Sequence, residues 1–134
     1  MTSTEFKTHD KYSIEFPEIF HIPSFIAKNI QGISWYAEDG WNNIEIGLYN
    51  AIKPSTVKSL YNLIEWYNLQ PKELNKPIFS FKIFEFDSVG AIIDTWEISV
   101  KKIINIDFGY LDYSANESND CKLYIEPFSV KLIN

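Results

Sequence analysis

The fold class is most clearly predicted by residues 91–113, which run Ala91-Ile-Ile-Asp-Thr-Trp-Glu-Ile-Ser-Val-Lys-Lys-Ile-Ile-Asn-Ile-Asp-Phe-Gly-Tyr-Leu-Asp-Tyr113. From Asp94 onward, apolar and polar side chains alternate strictly. The apolar set is Trp96, Ile98 and Val100, and the polar set is Thr95, Glu97, Ser99 and Lys101. Because side chains of a β-strand point alternately to its two faces, this pattern predicts a half-buried strand.

The alternation shifts by one residue further along the same stretch. Ile103 and Ile104 are adjacent, and the apolar set then continues at Ile106 and Phe108. Such a shift moves the apolar side chains to the opposite face of the sheet unless the strand is kinked. We therefore expect a bulge or bend near Lys102–Ile104. No catalytic pattern occurs here, so the stretch predicts sheet that pairs, with its own chain or with another copy.

Length and composition predict one globular domain, residues 1–134, with a proper core. Hydrophobic residues make up 46%, charged residues 22% and aromatic residues 16%, and the aromatic enrichment favours strands. The formal net charge of -6 disfavours tight nucleic-acid binding, yet it suits a surface that DNA passes without adhering. The N-terminus lacks a signal-peptide core and no apolar run reaches the ~18 residues of a membrane-spanning helix. We expect assembly in a cytoplasm.

The remaining elements follow from local patterns. Residues 1–11 are polar and are expected to form a flexible arm. Strands are predicted at 12–16, 30–36, 43–49, 78–87 and 122–133, with tight turns at 38–43 and 87–90. Ser55 is a candidate N-cap for the only stretch of helical periodicity. The prediction is a mainly β (α+β) fold: an antiparallel β-sandwich or barrel-like domain with one α-helix near 55–69.

Residues capable of chemistry do not form a convincing site. His9 and His21 have no Cys or carboxylate at metal-ligand spacing, and Cys121 is the only cysteine. Asp107 and Asp112 resemble a glycosidase pair only superficially, because eighteen acids produce such pairs by chance. No catalytic residue, cofactor or metal is therefore predicted, and the protein is not expected to be an enzyme. Trp41 and Trp66 could mark a ligand surface, although a partly buried position is favoured for each.

The C-terminal half resembles the tail tube proteins of contractile-tailed bacteriophages. The resemblance is carried by an aromatic strand, the turn Asp87-Ser-Val-Gly90, Ile93-Asp-Thr-Trp-Glu-Ile98 and Ile104-Asn-Ile-Asp-Phe-Gly-Tyr-Leu-Asp-Tyr-Ser114, followed by a polar loop and a last strand. It covers residues 78–133. These are structural residues, so baseplate tube initiators, tail terminators and the tubes of bacterial injection systems could share them.

The resemblance implies a virion protein that forms a homo-hexameric ring with an inner β-barrel. Rings would stack into a tube inside the sheath and on the baseplate, and DNA would pass through without specific binding. If the apolar set packs inside the subunit, then the polar set, Thr95, Glu97, Ser99 and Lys101, would line the lumen. The core and assembly candidates are Trp96, Ile98, Val100, Phe108 and Tyr113. The alternative outside this family is a monomeric β-sandwich module that binds a ligand.

Overall fold

In the computed structural model of this protein, residues 11–73, 75–109 and 120–133 are described. Residues 1–10 of the predicted arm, and the candidates Tyr113 and Asp112, lie outside them. The strands are β1 (Tyr12–Glu15), β2 (Ala27–Gln31), β3 (Trp35–Tyr36), β4 (Gly40–Trp41), β5 (Ile44–Leu48), β6 (Phe79–Phe86), β7 (Ile92–Asp107) and β8 (Cys121–Leu132). Helix α1 spans Thr56–Leu69, and two 3₁₀ turns cover Glu18–Phe20 and Ser24–Ile26.

Six of these strands form one antiparallel sheet in the order β1-β6-β7-β8-β5-β2. The sheet curls until it is nearly barrel-shaped, and β1 contacts the 3₁₀ turn that leads directly into β2. Strands β3 and β4 form a separate two-stranded hairpin. The predicted mainly β, barrel-like fold with one α-helix is confirmed.

The helix begins where its N-cap was predicted. The Ser55 Oγ accepts a hydrogen bond from the backbone N–H of Lys58 at 3.2 Å, which satisfies one of the free donors of the first turn. Leu60 and Leu63 are fully buried, so α1 packs its apolar stripe on the inside of the sheet. The Ser59 hydroxyl donates to the carbonyl of His21 at 3.0 Å and ties the helix to the first 3₁₀ turn.

The turn between β6 and β7 is also as predicted. Asp87 N–H donates to the carbonyl of Ala91 at 2.9 Å, while its Oδ1 accepts from the backbone N–H groups of Val89 and Ala91. Gly90 adopts a φ of +91°, which a residue with a Cβ rarely accepts. The strand predicted at 30–36, in contrast, is interrupted: Gly32 has a φ of +98°, and β2 ends before it.

The long pair β7–β8 carries three irregularities. Its register shifts at Ser99/Val100, at Val100/Lys102 and at Ile103/Asn105, so the predicted kink near Lys102–Ile104 is confirmed. Each shift leaves one extra residue on one strand and bends the pair. Pro127 lies opposite Val100, whose carbonyl accepts a hydrogen bond from Ile78 N–H on the other side, so the proline removes no bond from this ladder.

Candidate functional site

The polar set of β7 lies on the outer face of the curled sheet. Ile98 and Val100 are completely buried on the inner face, and period two places their neighbours opposite. Thr95 is only 5% exposed, Glu97 and Ser99 are half-buried, and Lys101 is exposed. Thr95 is thus the least accessible of the four residues predicted to line a lumen. The lumen prediction therefore depends mainly on Glu97, Ser99 and Lys101.

Charged residues form a row across four neighbouring strands of this face. Glu97 on β7 is opposite Lys82 on β6 and Lys131 on β8, and Lys82 is in turn opposite Glu15 on β1. The signs alternate from strand to strand, so each cation lies beside an anion, an arrangement that favours antiparallel pairing. The row is neutral as a whole.

A second row of this face is made of hydroxyl groups. Ser99 is opposite Ser80 on one side and Ser129 on the other. The Oγ atoms of Ser80 and Ser99 are 3.0 Å apart, within hydrogen-bond distance. Next to this row, Lys101 Nζ lies 3.4 Å from Glu126 Oε2. Together the two rows make the middle of the face polar, with small serine side chains and a net charge close to zero.

The core candidates divide into two groups. Ile98 and Val100 belong to the same buried cluster as Leu60 and Leu63 of the helix. Trp96 is half-buried and makes an edge-on contact with Trp41, at 6.3 Å between ring centroids. Phe108 is also half-buried against the core, and its carbonyl is 3.7 Å from the Cys121 Sγ.

Ligand-binding residues suggested by the sequence occupy structural positions. Trp66 packs edge-on against Phe20 and Phe79, with ring centroids at 4.9 Å and 6.1 Å. Like Trp41, it is half-buried at the margin of the core, as the sequence favoured. Asp107 Oδ1 accepts a hydrogen bond from Gly109 N–H at 2.9 Å, and so stabilises a turn.

No cluster of three or more His, Cys, Asp or Glu side chains that could hold a metal ion occurs in the described ranges. His21 follows the first 3₁₀ turn in a left-handed conformation, where its N–H caps the carbonyl of Glu18. The Cys121 thiol is buried, and this burial raises its pKa, which keeps the thiol protonated and poorly nucleophilic.

One open groove does combine charged groups. Its volume is about 730 Å³, and Glu15, Glu18, His21, Lys82 and Glu97 contribute to its wall. This groove extends the charged row toward the first 3₁₀ turn. The row is not visible in the sequence, because Lys82 and Lys131 become neighbours of Glu97 only through the register of three strands. Alternation within one strand predicts a face, but it does not predict the partners across it.

No family model, curated protein or solved structure matches this chain. Among the residues that the structure describes, no helix is long and apolar enough to cross a membrane.

Proposed function

We propose that this chain is a structural subunit of a phage tail tube, in which six copies form a ring and stacked rings enclose a channel for DNA. The observation that carries the proposal is the polar outer face of β6, β7 and β8, which lies within the segment that resembles tail tube proteins. Its rows of serines and of alternating charges stay hydrated and offer DNA no concentrated positive charge.

The cation content favours passage of DNA over binding. All twelve cationic residues of the sequence are lysines, and there is no arginine. Arginine is the residue that most often grips phosphates and guanine edges in a bidentate manner. With a net charge of -6, the chain lacks the basic footprint of a nucleic-acid-binding protein.

Assembly is supported by an unpaired strand edge. Strand β5 pairs with β8 only over Cys121–Ile125, so the second half of β8 has no hydrogen-bonded partner in the described sheet on the side away from β7, although β4 contacts β8 without pairing with it. The second half of β7 extends beyond β6 in the same way, although the Tyr67 hydroxyl of α1 accepts a hydrogen bond from Ile103 N–H there, at 3.4 Å. Open edges recruit strands of other chains, and a second copy would satisfy this one.

Within this proposal, sheath and baseplate proteins are the expected partners outside the ring, and the mature virion tail is the expected location. A tube initiator or a tail terminator would use the same ring, so these remain alternative positions in the tail. A monomeric module that binds a ligand in the Glu15–His21 groove is the alternative from another class, because that groove is open and charged.

Light scattering after size-exclusion chromatography, followed by negative-stain microscopy, tests the proposal. We expect a species of six 15.7 kDa chains, about 94 kDa, or a longer tube, with a central hole in end-on views. A monomer at every concentration tested would contradict the ring. That result would instead favour the alternative, a monomeric module that binds a ligand in the groove lined by Glu15, Glu18 and His21.

A further inference from the structure

The β3–β4 hairpin exposes an aromatic surface that a short hairpin does not normally leave uncovered. Trp35 is 61% exposed and Tyr36 is 54% exposed, on strands of only two residues each. Two-stranded hairpins of this size are marginally stable on their own. Here the base is closed by a hydrogen bond from Asn42 N–H to the carbonyl of Ser34, at 2.9 Å, and by the contact of Trp41 with Trp96.

The tip of the same hairpin is acidic. Glu38 and Asp39 connect the two strands, and both side chains are exposed. We call residues 35–39 the aromatic tip. It presents two large rings beside two negative charges, and tryptophan and tyrosine are the side chains most often found at the energetic centre of protein interfaces.

A groove of complementary character lies elsewhere on the chain. It is formed by Val57, Lys58, Tyr61 and Asn62 of helix α1 together with Phe108, and its volume is about 390 Å³. Val57 and Tyr61 are 40% and 55% exposed, so the lining is largely apolar and accessible. Lys58 supplies a positive charge. We call this set of residues the helix groove.

The aromatic tip and the helix groove lie near different parts of β8. Trp41, at the base of the tip, lines a crevice together with Phe128. Phe108 of the groove lies against Cys121, the first residue of β8. Seven residues separate Cys121 from Phe128, which corresponds to ~23 Å along a strand. None of residues 35–39 lines the groove of its own chain.

We propose that the aromatic tip of one copy docks into the helix groove of the next copy. The inference rests on the proposed function in one respect, namely that the partner is a second copy of this chain. The ring of Trp35 or Tyr36 would enter the apolar groove, and Glu38 or Asp39 would face Lys58. Different surfaces of the two copies meet, so the contact is head-to-tail, and each copy keeps a free tip or groove for a further one.

Charge complementarity favours a second copy as the occupant, and the small contact area indicates a contact that acts within a larger assembly. Copies that each carry a net charge of -6 repel one another, and the tip-to-groove pairing places an acid of one copy opposite Lys58 of the next. The single ring that enters the groove buries roughly 150–250 Å², far below the ~800 Å² per partner of a standard stable interface. The contact is therefore weak in an isolated pair, and becomes strong when other contacts in a closed assembly add to it.

Two double variants test the proposal directly. Trp35→Ala with Tyr36→Ala removes the tip, and Lys58→Glu with Tyr61→Ala disables the groove. Lys58 is the third residue after the Ser55 N-cap, so Lys58→Glu creates a capping box and preserves the helix. Val89→Ala with Leu69→Ala is the matched control, because both side chains are exposed apolar groups away from tip and groove.

By sedimentation velocity, each test variant should associate at least ~30-fold more weakly than the parent, and the control should match the parent. A mixture of the two test variants keeps one intact tip and one intact groove per pair, so at high concentration it should associate more than either variant alone. Asp39→Lys combined with Lys58→Glu should recover part of the association that Lys58→Glu alone loses.

Self-association unchanged in both test variants would overturn the inference. If the parent still forms rings in those experiments, the tube proposal stands without this contact. If the parent forms head-to-tail chains that depend on the tip and never close around a hole, the contact stands and the tube proposal falls. A parent that stays monomeric at every concentration overturns both.

Discussion

Replacing Glu97 with lysine gives the sharpest test of the polar face. Glu97 is flanked by Lys82 and Lys131 on the two neighbouring strands. Glu97→Lys therefore places three cations side by side, and it changes the four-residue row that begins at Glu15 from neutral to a charge of +2. In the proposed hexamer, six such rows would change together.

The cost to the folded subunit follows from the same register. Two favourable cross-strand pairs become two repulsive ones, and each such pair contributes roughly 0.2–1 kcal/mol. Because Glu97 is half-buried, solvent and salt moderate the effect. We expect the free energy of unfolding in urea to fall by about 1 kcal/mol, which leaves the variant folded and able to assemble.

In free-energy terms, the gain in DNA affinity should be larger than the loss in the free energy of unfolding. If the assembled variant neutralises about six phosphates, the slope of log K against log salt is about -5, and affinity falls ~10³-fold between 50 and 200 mM salt. Fluorescence anisotropy with a labelled duplex of about 20 base pairs measures this binding. The duplex is much longer than the distance over which salt screens a charge. The assembled parent should show no salt-dependent binding.

Glu65→Lys is the matched control, because Glu65 is exposed on α1, away from the polar face, and the change in net charge is identical. Binding by Glu97→Lys alone places Glu97 where DNA passes. Equal binding by both variants would show a general effect of net charge. Negligible binding by an assembled Glu97→Lys would refute the channel assignment of this face and require another strand to line the lumen.

Three further predictions concern the subunit itself. Ser55→Ala removes the side chain that caps α1 and should lower the unfolding free energy by about 1 kcal/mol in urea titrations, with Ser34→Ala, at an exposed serine, as a control; an unchanged midpoint would show that the cap contributes nothing. Ile98→Pro should prevent folding as well as ring formation, as judged by circular dichroism, because Ile98 is fully buried between β6 and β8; a folded variant would contradict the central position of β7. Burial raises the pKa of the Cys121 thiol, so the folded state holds this proton more tightly than the unfolded chain. The resulting contribution to the free energy of unfolding is complete below about pH 8.5 and declines as the pH rises above it. Cys121→Ser should flatten this decline in unfolding midpoints measured from pH 7 to 10.

The sequence predicted those features of the fold that depend on near neighbours. The helix follows from periodicity and a Ser55 cap, the β6–β7 turn from Asp87 and Gly90, and the β7 bend from the adjacent Ile103 and Ile104. In each case the local propensity of the sequence agrees with the final structure. The interruption at Gly32 was missed, because a glycine within an otherwise extended run gives no indication of whether its φ is positive.

Features that depend on distant pairing could not be predicted in this way. The charged row requires the registers of β1, β6, β7 and β8 at once, and the aromatic tip requires that Trp35 and Tyr36 find no cover within the fold. The sequence identified Trp41 as a candidate contact residue, whereas the structure turns that ring toward Trp96 and leaves its cross-strand partner Trp35 outside. Exposure of an aromatic side chain is a property of the whole fold, so no local pattern reveals it.

The strand order also determines when each strand can pair while the chain is being synthesised. Strand β1 pairs only with β6, which leaves the ribosome some seventy residues later, at roughly 5–20 residues per second. Strands β2 and β5 can pair with each other early, but the other edge of β5 waits for β8, the last strand to be made. Strand β1 therefore stays unpaired until β6 is made, and one edge of β5 stays unpaired until β8 is made. During this interval the open edges can pair with strands of neighbouring chains, so faster formation of the β6–β7–β8 meander leaves less time for such mispairing.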